Sequence, residues 1–502
     1  MKKTGKLITD TVILTAVGII MQTVSVSFNL YLTKKIGTSG MGLFQLVMSV
    51  YSLSVTFSTA GARLASTRIA AEISAKSNSS EKAIKQCLIY SLTVSCAIGA
   101  AMLIFSPFIA KTWIDNPDAS ACLKILALSL PFVAMSGTLS GYFTATGFVP
   151  HYSLVRLFEQ LFKIVTVVIA LKFLLPYGSV YACEAVVIGM TASEAASFAL
   201  ARLLYSFAKR KEKALPCEKP KLFSLLRIAL PDFLGSSTRS ILLTIEHLMI
   251  PKGFEKSGNS QQEALSAYGI IHAMVLPVLL YPSTLLSSVA TLIIPEMAKK
   301  NALGDKKSIN SSANLLLHLT LIFAIGCAAV MYFFANGLSV IIGNTESEHY
   351  LKVLAFLVPV MYCDMTVDGI LRGLDQQFHS MLYNIIDSAL CVALVYFLLP
   401  VYSIKGYVFI LYISELINFY LSTSRLLKVC QIRFSFKNTL SKPLICAAVS
   451  CALFIPSFPH LAGNKIITAI AISAAAVIYL TLLCVTRSLN ISELRSLIKS
   501  SL

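Results

Sequence analysis

The chain has 502 residues, 56% of them hydrophobic and only 13% charged, with a mean hydropathy of +0.75. Soluble domains are roughly a quarter charged, so a water-soluble enzyme or binding domain is excluded and an integral membrane protein is indicated. The formal net charge of +18 falls at the ends of apolar runs, as described below, so no nucleic acid is expected among the partners.

A bilayer core of about 30 Å is crossed by about 20 apolar residues in a helix. The opening MKKTGKLITDTVILTAVGIIMQ is basic, but its apolar run continues to Tyr31 without an A-x-A cleavage pattern, so it reads as an uncleaved span over 9–33 rather than a signal peptide. Further runs predict helices over 41–66, 85–108, 119–141, 152–175, 181–206, 223–250, 266–294, 312–334, 350–371, 380–400, 406–427, 442–458 and 465–486. That makes about fourteen transmembrane helices in an all-α membrane fold. An even number puts both termini on one side. With the N-terminus in the cytoplasm, roughly 28 Lys and Arg fall in inner loops and about 10 in outer ones. The expected location is therefore a bacterial cell membrane, multi-pass, with both termini cytoplasmic.

The densest basic cluster, AKRKEKALPCEKPK at 208–221, lies between spans six and seven, where it reads as a cytoplasmic linker facing anionic membrane lipids. It divides the chain into an N-terminal six-helix lobe (1–208), the linker (209–222), a C-terminal six-helix lobe (223–428) and two additional helices with a cytoplasmic tail (429–502). Sliding the halves by 228 positions pairs LALSLP (126–131) with LAFLVP (354–359), Gly141 with Gly369, His151 with His379, and Glu159 with Asp387. With small gaps, FLLP recurs at 173–176 and 397–400, and SEAASFALARLL (193–204) echoes SELINFYLSTSRLL (414–427). Such a duplication relates the lobes by a pseudo-twofold axis along the membrane normal, the build of a carrier.

Ionisable groups inside a membrane usually face a cavity or a partner. The stretch PDFLGSSTRSILLTIEHLMIP (231–251) carries Asp232, Arg239 and Glu246 seven residues apart, a step that returns to nearly the same helical face. Arg239 falls near mid-membrane, with Gly235, Ser236 and Ser237 just before it. Its candidate roles are to hold an anionic substrate or to pair with an acid such as Asp364 or Asp368. Arg63, toward the cytoplasmic end of span two, is either a second cavity cation or a snorkelling side chain. Glu159 and Lys163 stand at i,i+4, an order that favours an ion pair. Asn384 and Asp387 offer oxygens suited to a hard cation or a proton, or to an interhelical hydrogen bond. Glu184, Glu194 and Glu415 read as packing contacts.

No phosphate-cradling G-x-x-x-x-G-K-[ST] loop, H-E-x-x-H zinc helix or G-x-S-x-G elbow is present. The twelve cysteines include no C-x-x-C pair and read as small packing residues. His151, His272, His318 and His379 stand apart from one another. The expectation is a non-enzyme without cofactor or metal, with Na+ or H+ as the candidate coupling ion.

AYGIIHAMVLPVLLYPSTLLSSVATLIIPEMAK (267–299), KKIGTSGMGLFQLVMSVYSLSVTFSTAGARLASTRIAAE (34–72), LRGLDQQFHSMLYNIIDSAL (371–390) and the 231–251 stretch resemble the stage V sporulation protein B-like flippases. These form part of the polysaccharide biosynthesis branch of the multidrug/oligosaccharidyl-lipid/polysaccharide exporter superfamily. The resemblance implies two six-helix lobes rocking around a central cavity, with two helices appended. It also implies a lipid-linked saccharide substrate, such as an undecaprenyl-pyrophosphate peptidoglycan precursor, in cell-envelope or spore-cortex synthesis. Relatives meet the pyrophosphate with cavity arginines, for which Arg239 and Arg63 are the matching candidates; Glu246 is a third substrate-binding candidate by its place on the stripe that Arg239 shares. A relatives' sodium site would map to Asp232, Asn384 and Asp387. Span one departs from the pattern, since it carries no arginine and offers only Gln22 and Asn29. A cation-coupled multidrug antiporter is the alternative carrier, for which an acidic cavity is expected. The alternative of another class is a scaffold that partners cell-wall synthesis enzymes. A tag-accessibility experiment on intact cells is expected to place both termini and the 209–222 linker inside; external labelling of any of the three overturns the orientation.

Overall fold

The computed structural model describes residues 2–489 apart from 60, 76–77, 80, 147, 210–214, 217–221, 433–436 and 455–464. The expected basic linker thus lies mostly outside the described residues. The helices in chain order are α1 (Lys2–Thr59), α2 (Ala62–Ala75), α3 (Glu81–Phe108), α4 (Ala119–Ala127), α5 (Leu130–Ala145), α6 (Val149–Leu174), α7 (Ser179–Lys209), α8 (Leu222–Lys256) and α9 (Gln261–Gly269). They continue with α10 (Leu276–Leu280), α11 (Ser283–Ala302), α12 (Lys306–Phe333), α13 (Ala335–Ile342), α14 (Ser347–Ala355), α15 (Val358–Gly373), α16 (Gln377–Val429), α17 (Lys442–Ala452) and α18 (Lys465–Val485). A two-residue bridge, Asn78–Ser79 with Leu215–Pro216, is the only strand pairing among the described residues.

Among the described residues every expected apolar run falls largely on helix, but the elements do not match the runs one to one. Helix α1 joins the first two across a break at Gly37, whose φ of 77° and ψ of 168° suit a residue without Cβ. Helix α16 joins the eleventh and twelfth across a break at Ser403, just after Pro400, which removes a backbone donor there. The fourth and tenth runs are bent pairs, α4 with α5 at 43° and α14 with α15 at 58°. Among the described residues seven helices are long and apolar enough to cross a membrane, or nine if each bent pair is one span. The chain is a multi-pass membrane protein.

By contacts the chain forms two compact units, residues 35–269 and residues 1–34 with 270–502. These boundaries differ from those of the expected lobes: span one groups with the later helices and span seven with the earlier ones. In the 35–269 unit, α2, α3, α5, α6 and α7 share a core of Ala70, Ile84, Leu139, Tyr142, Phe143, Val155, Ala201 and Tyr205. In the other unit α11, α12, α15 and α16 bury Met297, Ile309, Leu316, Val367, Ile370, Leu371 and Leu426. Val367, Ile370 and Leu371 stand at the repeat positions of Leu139, Tyr142 and Phe143, so the repeated helix turns the same register inward in both units. Helices α17 and α18 attach to α12 through Cys446, Ala447, Tyr479 and Leu483, and the Tyr479 hydroxyl donates to the Ile322 carbonyl at 2.8 Å.

One close approach fixes the position of α2. A Cβ on Gly141 would lie 2.0 Å from Ser66 Oγ and 2.6 Å from the Arg63 carbonyl oxygen, so α5 can touch the α2 backbone only through glycine. Ser66 Oγ donates to the Thr138 carbonyl at 2.9 Å across the same contact. Overpacking of this kind costs about 1–3 kcal/mol. The Gly141→Val variant is therefore expected to unfold at a lower temperature in detergent, whereas Gly137→Ala, where nothing lies within 4 Å, keeps or raises the melting temperature.

Candidate functional site

Helix α6 places four functional side chains on one face. Tyr152, Arg156, Glu159 and Lys163 follow one another at steps of three or four residues, the spacing of side-chain neighbours on a helix. The Arg156 Nε donates to the Tyr152 hydroxyl at 3.1 Å, and its Nη1 reaches Glu159 Oε1 at 3.4 Å. The second Glu159 oxygen accepts from Ser197 Oγ on α7 at 3.2 Å. Glu159 thus pairs with the arginine three residues before it, which corrects the expected pairing with Lys163. Both cations lie within a turn of the acid, and the long guanidinium reaches it first.

Arg63, carried by α2, approaches from across the site. Its guanidinium carbon lies 5.9 Å from the centre of the Tyr152 ring, and that of Arg156 lies 5.6 Å from the same ring. Two cations therefore share one aromatic ring, each within the range where the ring's quadrupole attracts a positive charge. Around them is a cavity of about 390 Å³ whose polar lining includes Thr56, Arg63, Ser140, Arg156, Glu159 and Glu194. Glu194 accordingly faces a cavity, not only a packing contact. All of these residues belong to the 35–269 unit.

Arg156 was not among the residues singled out from sequence. It lies at the start of the fifth apolar run, where a basic residue reads as an interfacial anchor. Its spacing to Tyr152 and Glu159 on one helical face was the available signal.

The 231–251 charges occupy unlike surroundings although they share a helix. Helix α8 packs on the latter part of α1 through Phe57 and Phe233, whose rings are 5.8 Å apart, and through the hydroxyls of Thr56 and Ser240 at 3.2 Å. Ser236 lines the cavity. Arg239, three residues on, is exposed, and among the described residues no carboxylate comes within 4.0 Å of it. Asp364 and Asp368, the acids expected as alternative partners, belong to the other unit. Glu246 is only 7% exposed, in a part of α8 that packs on α9 through His247 and Tyr268. It therefore does not share Arg239's exposed surface. The neighbours of α8 change along its length, so equal spacing does not give equal environment. The side chain of Asp232 lies outside the described residues.

In the other unit, Asn384 donates to the Ser380 carbonyl at 2.8 Å and to Asp368 Oδ2 at 3.5 Å. Asp368 also accepts from Ser380 Oγ at 2.7 Å and meets Arg372 at 3.6 Å. Asp387 accepts from Ser414 Oγ at 2.6 Å. Asp364 accepts from Asn418 Nδ2 at 2.9 Å, and Glu415 lies within electrostatic reach of Asp364 and Asp387. The candidate coupling residues thus divide: Asn384 and Asp387 fall in this unit and Asp232 in the other. Among the described residues no group of three His, Cys, Asp or Glu side chains is placed to hold a metal ion. His318 bonds Thr439 and the Ser488 carbonyl at 3.0 Å each, and His272 meets the Tyr407 hydroxyl at 2.7 Å; both link elements within their unit.

A family profile described as "Polysaccharide biosynthesis protein" matches residues 7–301. The chain belongs to the polysaccharide biosynthesis protein family. A second profile, MatE, matches residues 257–398. The chain is similar to the stage V sporulation protein B of Bacillus subtilis (strain 168), 22% identical over 97% of this chain and 96% of the relative. It is also similar to the sporulation protein YkvU of the same organism, 20% identical over 67% of this chain and 77% of that one. Among solved structures, its fold matches the inward closed conformation of the lipid II flippase MurJ with a TM-score of 0.67, at 15% identity over 94% of this chain and 98% of that one. It likewise matches an inward-facing multidrug resistance MATE family transporter of the MOP superfamily with a TM-score of 0.62, at 14% identity over 81% and 95%. These matches place the chain in the MOP superfamily fold.

If Tyr152 positions Arg156 through its hydroxyl, Tyr152→Phe removes one hydrogen bond to a charged group, a loss of about 1.5–3 kcal/mol at that contact. The ring, and with it the cation contact, is retained. The expected result is a folded protein in which Arg156 becomes more reactive toward phenylglyoxal than in the wild type, read by peptide mass spectrometry; unchanged reactivity counts against the positioning role.

Proposed function

We propose that this member of the family is a flippase that carries a lipid-linked anionic saccharide from the cytoplasmic to the outer leaflet by alternating access. The substrate class is an undecaprenyl-pyrophosphate-linked peptidoglycan precursor or a related oligosaccharide. The observation that carries the reading is the pair of arginines, Arg63 and Arg156, meeting at the Tyr152 ring in a cavity inside a membrane-embedded unit. A diphosphate in a low-dielectric cavity needs cations, and the planar guanidinium fork matches its oxygens two at a time. The similarity to stage V sporulation protein B along nearly the whole chain and the fold shared with a lipid II flippase support the same class of cargo.

Within this proposal Arg63 and Arg156 hold the headgroup, and Arg239 is a further contact on the exposed face of α8, one turn from the cavity-lining Ser236. Glu246 has no direct part in that contact, being buried. Coupling to Na+ or H+ through Asp232, Asn384 and Asp387 belongs to the same proposal. Asp387 and Asn384 support it by their hydrogen-bonded carboxylate and amide within a membrane helix.

The test is translocation of an undecaprenyl-pyrophosphate-linked saccharide in proteoliposomes. Losing a charge-assisted hydrogen bond of about 1.5–3 kcal/mol predicts that Arg63→Ala lowers transport by about tenfold or more, with Arg239→Ala reducing it as well. Undiminished transport by both variants, at wild-type incorporation, removes the proposal.

A further inference from the structure

The cavity poses a problem for an anionic ligand, because its lining carries two glutamates as well as two arginines. A phosphate entering such a site gains from the guanidinium groups but meets carboxylates at close range. The arrangement on α6 supplies a solution. Glu159 stands three residues after Arg156 and four before Lys163, so it has a cation on either side along one helical face.

The contact it makes now is the weaker of the two available kinds. Arg156 and Glu159 are joined by one nitrogen and one oxygen at 3.4 Å, beyond the 2.7–2.9 Å typical of a strong charge-assisted bond. A guanidinium has five N–H groups. Those of Arg156 in hydrogen bonds here are Nε, to Tyr152, and one on Nη1, to Glu159. The Arg156 side chain is 49% exposed and that of Glu159 only 17%, so the cation is open to a ligand and the acid is held behind it. Lys163 is half-buried, and among the described residues no carboxylate comes within 4.0 Å of it. A Glu placed four residues before a Lys is the favoured order for a helical ion pair.

We infer that Glu159 is an exchangeable stand-in for the substrate's phosphate: it occupies Arg156 until a diphosphate takes its place, and then passes to Lys163. The inference rests on the reading of this cavity as a headgroup site. The exchange keeps Glu159 neutralised in both arrangements and presents Arg156 as a free fork only when an anion with two adjacent oxygens arrives. Ser197, which holds the other Glu159 oxygen, keeps the carboxylate near α7 throughout. A phosphate group offers Arg156 two parallel bonds in place of one long one, and the greater negative charge of a diphosphate makes the exchange more favourable for that headgroup than for a monophosphate.

The experiment measures binding of undecaprenyl diphosphate, and of undecaprenyl monophosphate, to the full-length protein in nanodiscs. Removing the competing carboxylate with Glu159→Gln is expected to tighten diphosphate binding by about two- to fivefold, the range of a weak ion pair. Lys163→Met is expected to weaken it by a similar factor in the wild-type background and to have no effect in the Glu159→Gln background, the coupling expected of groups that exchange one partner. Arg156→Lys, which keeps the charge and loses the fork, should lower affinity for both headgroups. Should Glu159→Gln prove unstable, Lys163→Met and Lys163→Arg decide, since the arginine preserves the receiving charge and should bind as the wild type does. A Glu159→Gln variant that binds no tighter, or a Lys163→Met defect that persists in its presence, overturns the exchange. If Arg63→Ala weakens binding while those results hold, the exchange alone has failed. If neither Arg63→Ala nor Arg156→Lys changes affinity, the headgroup site itself has failed.

Discussion

An ionised side chain inside a membrane protein needs water or a partner, and the site on α6 follows from that constraint. Arg156 cannot stand alone there, so it takes Tyr152 on one side and Glu159 on the other. Glu159 in turn needs a donor for its second oxygen and finds Ser197 on α7. Arg63 enters from α2 and shares the same aromatic ring. Each group is retained because its neighbours reduce the cost of keeping it, and the resulting cluster leaves unspent guanidinium donors beside a cavity.

The repeated segments of the two units carry different chemistry on the same scaffold. Glu159 and its counterpart Asp387 each accept a hydrogen bond from a serine in the segment that recurs at 193–204 and 414–427. The core positions around them also correspond, as Leu139, Tyr142 and Phe143 do to Val367, Ile370 and Leu371. Yet the positions of Arg156 and Lys163 hold Asn384 and Cys391 in the later unit. The acid has been kept and its two cations removed. The earlier unit is thereby suited to anions, while the later one gathers Asp364, Asp387 and Glu415 with amide and hydroxyl donors. A duplicated frame that keeps its packing and changes its polar residues can carry two kinds of polar chemistry without a new fold.

The apolar runs were legible from sequence because a helix that meets lipid must be apolar along its length, and core residues such as Leu139 and Leu371 fall in those runs. The breaks within α1 and α16 were less so, since Gly37 and Ser403 look like loop residues whether the chain turns sharply or runs on. The importance of Arg63 and Glu159 followed from their being charged in the wrong solvent. What spacing could not decide was choice among partners. Glu159 has cations at both i−3 and i+4, and only side-chain reach selects Arg156. Glu246 and Arg239 are equally spaced on α8, and only the neighbours of that helix separate a buried acid from an exposed base.

The close contact at Gly141 connects these observations. Arg63 can approach Tyr152 only if α2 lies close against α5, and α2 lies there because Gly141 leaves room for Ser66 and for the Arg63 carbonyl. Ser66 then closes the contact by donating to Thr138. The contact fixes the backbone from which the Arg63 side chain reaches the ring, so less ordering is left to be done when a ligand binds. On the proposed exchange the moving part of the site is the Glu159 side chain, with Arg156 before it and Lys163 after it on one face of α6. A constrained backbone beneath Arg63 and an exchanging acid beside Arg156 is the combination that this exchange requires for an anion to be bound and later released.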